Sequence, residues 1–250
     1  MRSNADVEAV RDLIAQGLSD QEVAQRTGVS RVTVNRWRRT PPRARPSAPP
    51  PGSWAPADKP AYCYLLGMYL GDGHLSGRAG GTLALRFTLD ARYPGIVAET
   101  AAAVRAVEPD ARVTTYERRG EGAVVLSSSH PVWPAAFPQH GAGPKHKRRI
   151  ALADWQLELT RRYPAQLVRG LLHSDGSRSV NRFSVSLAQG PRTYEYVRYF
   201  FTNVSADIRE IFRSHCELIS VRCTQSNARN LSVADRTSVA ILDAIAGPKS

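Results

Sequence analysis

Apolar positions along the first forty residues recur at helical spacing. Val7, Val10, Leu13 and Ile14 fall on one helical face, and Gly17 then breaks the pattern. Ser19, followed three residues later by Glu22, has the form of a capping box and opens a second helix through Val23 and Ala24. Gly28 supplies a turn, Ser30 a cap, and Val34 and Trp37 the inward positions of a third helix. Beyond residue 60 the period changes. In 82–89 (TLALRFTL), Leu83, Leu85, Phe87 and Leu89 alternate with Thr82, Ala84, Arg86 and Thr88. In 182–188 (RFSVSLA), Phe183, Val185 and Leu187 alternate with Arg182, Ser184 and Ser186. Both are strand patterns, with the apolar set predicted inward.

Two apolar helices, each stopped by Asp-Gly, precede these strands: YLLGMYLGDGHL at 64–75 and LVRGLLHSDGSR at 167–178. They align at an offset of 103, Gly67 with Gly170, Gly71 with Ser174, Asp72 with Asp175 and Gly73 with Gly176. Helical stretches are predicted next at 94–107 and 194–213. Strand pairs follow at 112–117 with 123–128 and at 218–223 with 230–233, and closing helices at 131–137 and 236–246. Gly143-Pro144-Lys145 then matches Gly247-Pro248-Lys249 at an offset of 104. Two offsets one residue apart predict a duplicated unit, about 61–150 and 160–250.

Small residues four apart leave a flat stripe on each apolar helix, so the two helices can approach closely through Gly67/Gly71 and Gly170/Ser174. Their ends then stand together, and so do Asp72 and Asp175. Two adjacent carboxylates repel each other, and a Mg²⁺-type cation relieves the repulsion in a way suited to phosphodiester hydrolysis.

Charge adds a partner. The 250 residues hold 34 Lys and Arg against 22 Asp and Glu, a net +12, which predicts an anionic partner. No apolar run is long enough to span a bilayer. MRSNADVEAVRDL lacks the basic-then-apolar order of a signal peptide, so a cytoplasmic, nucleoid-associated protein is expected. Three cysteines without a Cys-x-x-Cys suggest neither a disulfide framework nor a zinc site. Eight of 17 prolines lie in 41–60, read as an extended linker between a module at 1–40 and a domain at 61–250.

QEVAQRTGVSRVTVNRWRR resembles a helix-turn-helix DNA-binding motif. The resemblance implies a third helix in the major groove, with Arg31, Asn35 and Arg36 toward bases and Arg38 and Arg39 near phosphates. LLGMYLGDG and VRGLLHSDG resemble the LAGLIDADG (dodecapeptide, or DOD) motif of homing endonucleases, present twice as in the single-chain members. That likeness covers most of 61–250. It implies an α+β fold, a duplicated αββαββα unit with antiparallel sheets about a pseudo-twofold axis, acting as a monomer on double-stranded DNA with the sheets in the major groove. By position it makes Asp72 and Asp175 metal-binding acids, with backbone carbonyls from Gly71 and Ser174 and Mg²⁺ or another divalent cation between them. Lys145 and Lys249 are the candidates for the family's basic residue near each site, with Lys147 in reserve.

On the strands the outward residues Arg86, Arg112, Arg118, Arg182 and Arg222 are candidate DNA contacts. In the run 145–149, Lys147 and Arg148 suit a phosphate-binding connector. His130, His140 and His146 are spaced too irregularly for a metal site, His173 is expected to line its helix, and Gly77–Gly81 reads as a turn. The expected activity is sequence-specific, metal-dependent DNA cleavage by a free-standing endonuclease, since neither end carries intein splicing residues. Two other readings stand beside it: a non-cleaving transcriptional regulator on the same fold, and an RNA-binding splicing helper.

Overall fold

The computed structural model of the chain describes residues 4–41, 48–50, 52–77, 81–187, 189–247 and 249. The chain divides into two compact units, 1–47 and 48–250.

In the first unit α1 (Asn4–Ala15), α2 (Asp20–Thr27) and α3 (Arg31–Arg39) enclose a core of Val10, Val23, Val29, Val34 and Trp37. The Ser19/Glu22 capping box is formed, and Gly28 ends α2 at φ 65°, where a Cβ would be strained. Ser30 caps α3, its hydroxyl accepting from the Thr33 N–H.

The second unit is built on α4 (Lys59–Gly71) and α8 (Pro164–Asp175). Every residue of α4 from Tyr62 to Leu70 is buried, as expected of a helix apolar on all sides. The close approach to α8 is backbone on backbone. A Cβ on Gly67 would stand 2.5 Å from the Leu167 carbonyl oxygen and 2.7 Å from the Leu171 nitrogen, and one on Gly170 would collide with the Tyr64 carbonyl. Any side chain there would push the helices apart.

Each helix leads into a four-stranded antiparallel sheet. β1 (Gly73–Ser76), β2 (Ala84–Asp90), β3 (Val113–Arg118) and β4 (Ala123–Ser129) lie in the order β1-β2-β4-β3. β5 (Gly176–Leu187), β6 (Gly190–Thr202), β7 (Thr224–Gln225) and β8 (Asn230–Val233) repeat that order as β5-β6-β8-β7. Each half inserts a helix after its second strand, α5 (Pro94–Val107) or α9 (Ala206–Leu218), and closes with another, α6 (Trp133–Ala136) or α10 (Arg236–Ala246). The connector holds a 3₁₀ turn at Lys145–Lys147 and α7 (Asp154–Arg162). The duplicated α+β reading therefore holds.

The second half departs from expectation in two places. Residues 194–202, expected in a helix, belong to β6, and α9 starts only at Ala206. The stretch Tyr194, Tyr196, Val197, Tyr199, Phe200, Phe201 and Thr202 is rich in aromatic and β-branched residues that favour a pleated surface. The expected strand 218–223 is the end of α9 and a loop, with Ser220 at φ 59°, and pairing begins at Thr224. In the first half the closing helix shortens to Trp133–Ala136. The expected linker also ends early, because Trp54 packs on the rings of Tyr62 and Trp155. Within it, residues 42–47 and 51 lie outside the described residues, as do 78–80 of the glycine turn, Ala188 and Pro248.

Candidate DNA-cleavage site and sheet faces

Asp72 caps the C-terminus of α4 and Asp175 is the last residue of α8, so the Asp-Gly stops set both acids at the crossing of the two helices. Their closeness follows from Gly71: a Cβ there would meet the Ser174 side chain and lie 2.9 Å from Asp175 Oδ2. Both acids line a cleft of about 650 Å³ with Lys145, His74, His140 and Asn203.

Burial and the neighbouring Asp175 carboxylate raise the Asp72 pKa to about 6, against the pull of Lys145 and Lys249. Burial also raises Asp175, opposed by a 2.7 Å hydrogen bond from the Asn203 amide to Oδ2 and by both lysines. Ala91 follows β2 where Asn203 follows β6, so the two acids have different surroundings.

Both Gly-Pro-Lys lysines reach the motif helices. Lys145 Nζ donates to the carbonyls of Leu70 and Gly71, each at 3.0 Å, and to that of Tyr69, whose ring centroid is 4.9 Å away. Lys249 Nζ donates to the His173 carbonyl at 3.2 Å and to that of Gly176. Each ammonium thus sits at the negative end of its own half's helix. Burial lowers both lysines, Lys145 to about 8, and the two acids oppose the shift. The Gly71 carbonyl, expected on a cation, accepts from Lys145. Ser174 folds its hydroxyl back onto the carbonyls of Gly170 and Leu171. His173 is buried, with Nδ1 3.1 Å from the Tyr64 hydroxyl and Nε2 2.9 Å from the Ala246 carbonyl. Among the described residues no cluster of three or more His, Cys, Asp or Glu side chains is placed to hold a metal.

Strand register decides which residues face away from the helices. In the first sheet Leu85, Phe87 and Leu89 are buried, which leaves Arg86 and Thr88 outward with the paired His74, Ser127, Thr114, Tyr116 and Arg118. Arg118 also pairs with Glu121 at 2.8 Å, and Arg112 is exposed just before β3.

The second sheet is arranged differently from expectation. Tyr199 and Phe201 are buried, and register puts Val197, Glu195 and their partners Val180 and Arg182 on that same face. Arg182 is therefore on the helix side, paired with Glu195 at 2.7 Å where the hairpin outruns the helices. Val185, expected inward, is 37% exposed on the opposite face. That face carries four residues absent from the sequence reading: Arg192, Tyr194, Tyr196 and Arg198. Arg192 lies over the Tyr194 ring and Arg198 over the Tyr196 ring, 5.6 and 5.4 Å from the centroids. The strand alternation in residues 190–202 was the signal for them.

Other expected contacts are partly engaged. In α3, Asn35 donates to Asp20 at 2.8 Å, and Arg38 donates to Asp20 at 2.7 Å and to the Leu18 carbonyl at 2.6 Å. Those groups tie α3 to the start of α2, while Arg31, Arg36 and Arg39 remain exposed. Arg148 is half-buried and donates to the Gln139 carbonyl, whereas Lys147 is exposed. Arg222 is exposed in the loop before β7, 3.5 Å from Asp235.

Residues 8–41 match the family model described as a homeodomain-like domain. No curated protein matches the chain. The structure of I-DmoI in complex with DNA and Mn superposes with a TM-score of 0.50 at 15% identity, covering 76% of this chain and 98% of that one. I-WcaI bound to its DNA recognition sequence gives a TM-score of 0.47 at 12% identity over 78% and 84%. The LAGLIDADG meganuclease I-AabMI bound to uncleaved DNA gives 0.46 at 10% over 74% and 82%. The fold of the second unit is that of the LAGLIDADG homing endonucleases, and a homeodomain-like helix-turn-helix precedes it in the chain. Among the described residues no helix is long and apolar enough to cross a membrane.

Proposed function

We propose that the chain is a sequence-specific, metal-dependent endonuclease of double-stranded DNA. Residues 1–40 form the helix-turn-helix DNA-binding domain and 61–250 the two-repeat catalytic domain, with a tether between them that ends before Trp54, which packs on the second unit. It acts as a monomer with internal pseudo-twofold symmetry, in the cytoplasm on nucleoid DNA. The observation that carries this reading is the meeting of Asp72 and Asp175 at the crossing of two glycine-lined helices, each with its own lysine.

The donor set fits a hard divalent cation. Two carboxylates and helix-end carbonyls offer oxygen only, and Mg²⁺ is commonly held by one or two carboxylates together with substrate phosphate. A bound cation would supply charge on the scissile phosphate and a more acidic water. Asp72 and Asp175 would hold it in their ionised forms. Lys145 and Lys249 offset the charge of the acids and face the negative charge that builds up on the phosphate. Arg86, Arg118, Arg192 and Arg198 on the outward sheet faces contact the duplex.

The test is incubation of the protein with a genomic or randomised DNA library and Mg²⁺ or Mn²⁺, followed by sequencing of new ends. Specific ends from the wild type, lost in Asp72→Asn and Asp175→Asn with binding retained, are expected. Sequence-specific binding without new ends under any divalent metal would sink the enzyme reading. It would leave the non-cleaving regulator, which is favoured by the Lys145 ammonium resting on the Gly71 carbonyl.

A further inference from the structure

The outer surface of α3 carries a residue that folding does not explain. Val32 is 80% exposed, the largest exposure among the large hydrophobics of the described residues. At 100° per residue it lies nearly opposite the buried stripe of Val34 and Trp37, and Arg36 and Arg39 follow it at four and seven residues on the same face. β-Branched residues are mediocre helix formers, and solvent gives a valine nothing. A single exposed hydrophobic residue is ordinary. This one stands at the second position of a nine-residue basic helix in a segment that matches a homeodomain-like domain.

The neighbouring polar groups narrow its role. Asn35 and Arg38 are held by Asp20, and Thr33 is hydrogen-bonded to Ser30 at 2.9 Å. Arg38 is exposed too but tied to Asp20, and Arg31, Val32, Arg36 and Arg39 are the other exposed positions of the helix. In the major groove each base pair shows a distinct edge, and the apolar group among these edges is the thymine 5-methyl. The first residues of a recognition helix approach base edges, and arginines further along it suit guanine or phosphate.

We propose that Val32 is a specificity-determining residue that packs on the 5-methyl group of a thymine in the major groove, flanked by contacts from Arg31 and Arg36. This rests on the DNA-binding reading above and extends it to one base. It also separates two roles within α3: the Asn35/Arg38 side fixes the helix on α2, and the Val32/Arg36/Arg39 side meets the duplex.

The test uses the full chain. A preferred duplex is selected from a randomised library, and each thymine of it is then replaced singly by deoxyuridine, which removes only the methyl group. The expected result is one position where the replacement weakens wild-type binding about four-fold, the worth of one buried methyl. Val32→Ala binds the thymine duplex more weakly by a similar factor and no longer distinguishes thymine from uracil at that position. At 80% exposure the alanine variant leaves the core unchanged. A selected site with no uracil-sensitive position, or one whose sensitivity survives in Val32→Ala, overturns the assignment and leaves DNA binding standing. Failure to select any duplex sequence overturns both.

Discussion

Gly170 lies directly against the backbone of Tyr64, so that a Cβ added to it would overlap the Tyr64 carbonyl and stand 3.0 Å from the Met68 nitrogen. Both neighbours are helix backbone and cannot turn aside. Gly170→Ala is therefore expected to lower stability by about 2–4 kcal/mol through overpacking. Chemical denaturation checks this. Gly141→Ala, whose Cβ meets only the Arg148 side chain, the nearest atom at 3.3 Å, should lose far less.

Asp72 gives the protein a stability that depends on pH. Its folded pKa of about 6 lies above the ordinary 3.8, so ionisation opposes folding. The cost is absent below about 4, grows as pH rises, and is complete above about 6. At roughly 1.4 kcal/mol per unit it reaches about 3 kcal/mol. Asp72→Asn should accordingly melt higher than wild type at pH 7, and the advantage should disappear near pH 4. Mg²⁺ at pH 7 should raise the melting temperature of the wild type and not of the variant. A lower melting temperature for the variant at pH 7 would contradict the buried, repelled carboxylate.

The two faces of the second sheet make opposite predictions for two arginines of one hairpin. Arg198 lies over the Tyr196 ring on the outward face, whereas Arg178 is bound to Asp243 at 2.8 Å beside α10. Arg198→Ala should weaken DNA binding and reduce the slope of log affinity against log salt by about one. Arg178→Ala should leave that slope unchanged. Filter binding or fluorescence anisotropy from low to moderate salt checks both.

Asp20 links the helices of the first unit through Asn35 and Arg38, which also hold its pKa below the usual carboxylate range. Asp20→Ala should lower the melting temperature of this unit in wild-type buffer near neutral pH. The difference should shrink as acid protonates Asp20 in the wild type. Differential scanning calorimetry followed down to pH 2 measures it.

The features legible in the sequence are those governed by local or repeating chemistry. The Ser19/Glu22 box lies within one helical turn, and Gly67, Asp72, Gly170 and Asp175 stood out because a duplication repeats them at one offset. The second hairpin was misread because the copies diverge in length. The offset between matching strand ends grows from 103 at Gly73 and Gly176 to 112 at Asp90 and Thr202. Aligning residues 182–188 with 82–89 therefore set a strand against the wrong partner and left Tyr194–Thr202 to be read as helix. The apolar alternation of Phe183, Val185 and Leu187 then set Arg182 outward, whereas its pairing with Glu195 puts it on the face of Tyr199 and Phe201. The bonds that Asn35 and Arg38 make within the unit were not legible for another reason. Their partner Asp20 lies 15 and 18 residues away, and no periodicity announces such a contact.

The glycine stripe also acts as a ruler. Because α4 and α8 touch backbone to backbone at Gly67 and Gly170, the separation of the two helix ends that carry Asp72 and Asp175 is set by backbone contact. The sheets can lengthen in one half, as β5 and β6 have done, and the outward faces can exchange every side chain. The spacing of the helix ends at the centre stays as it was, so on the endonuclease reading proposed above recognition can change independently of the frame that carries the two acids.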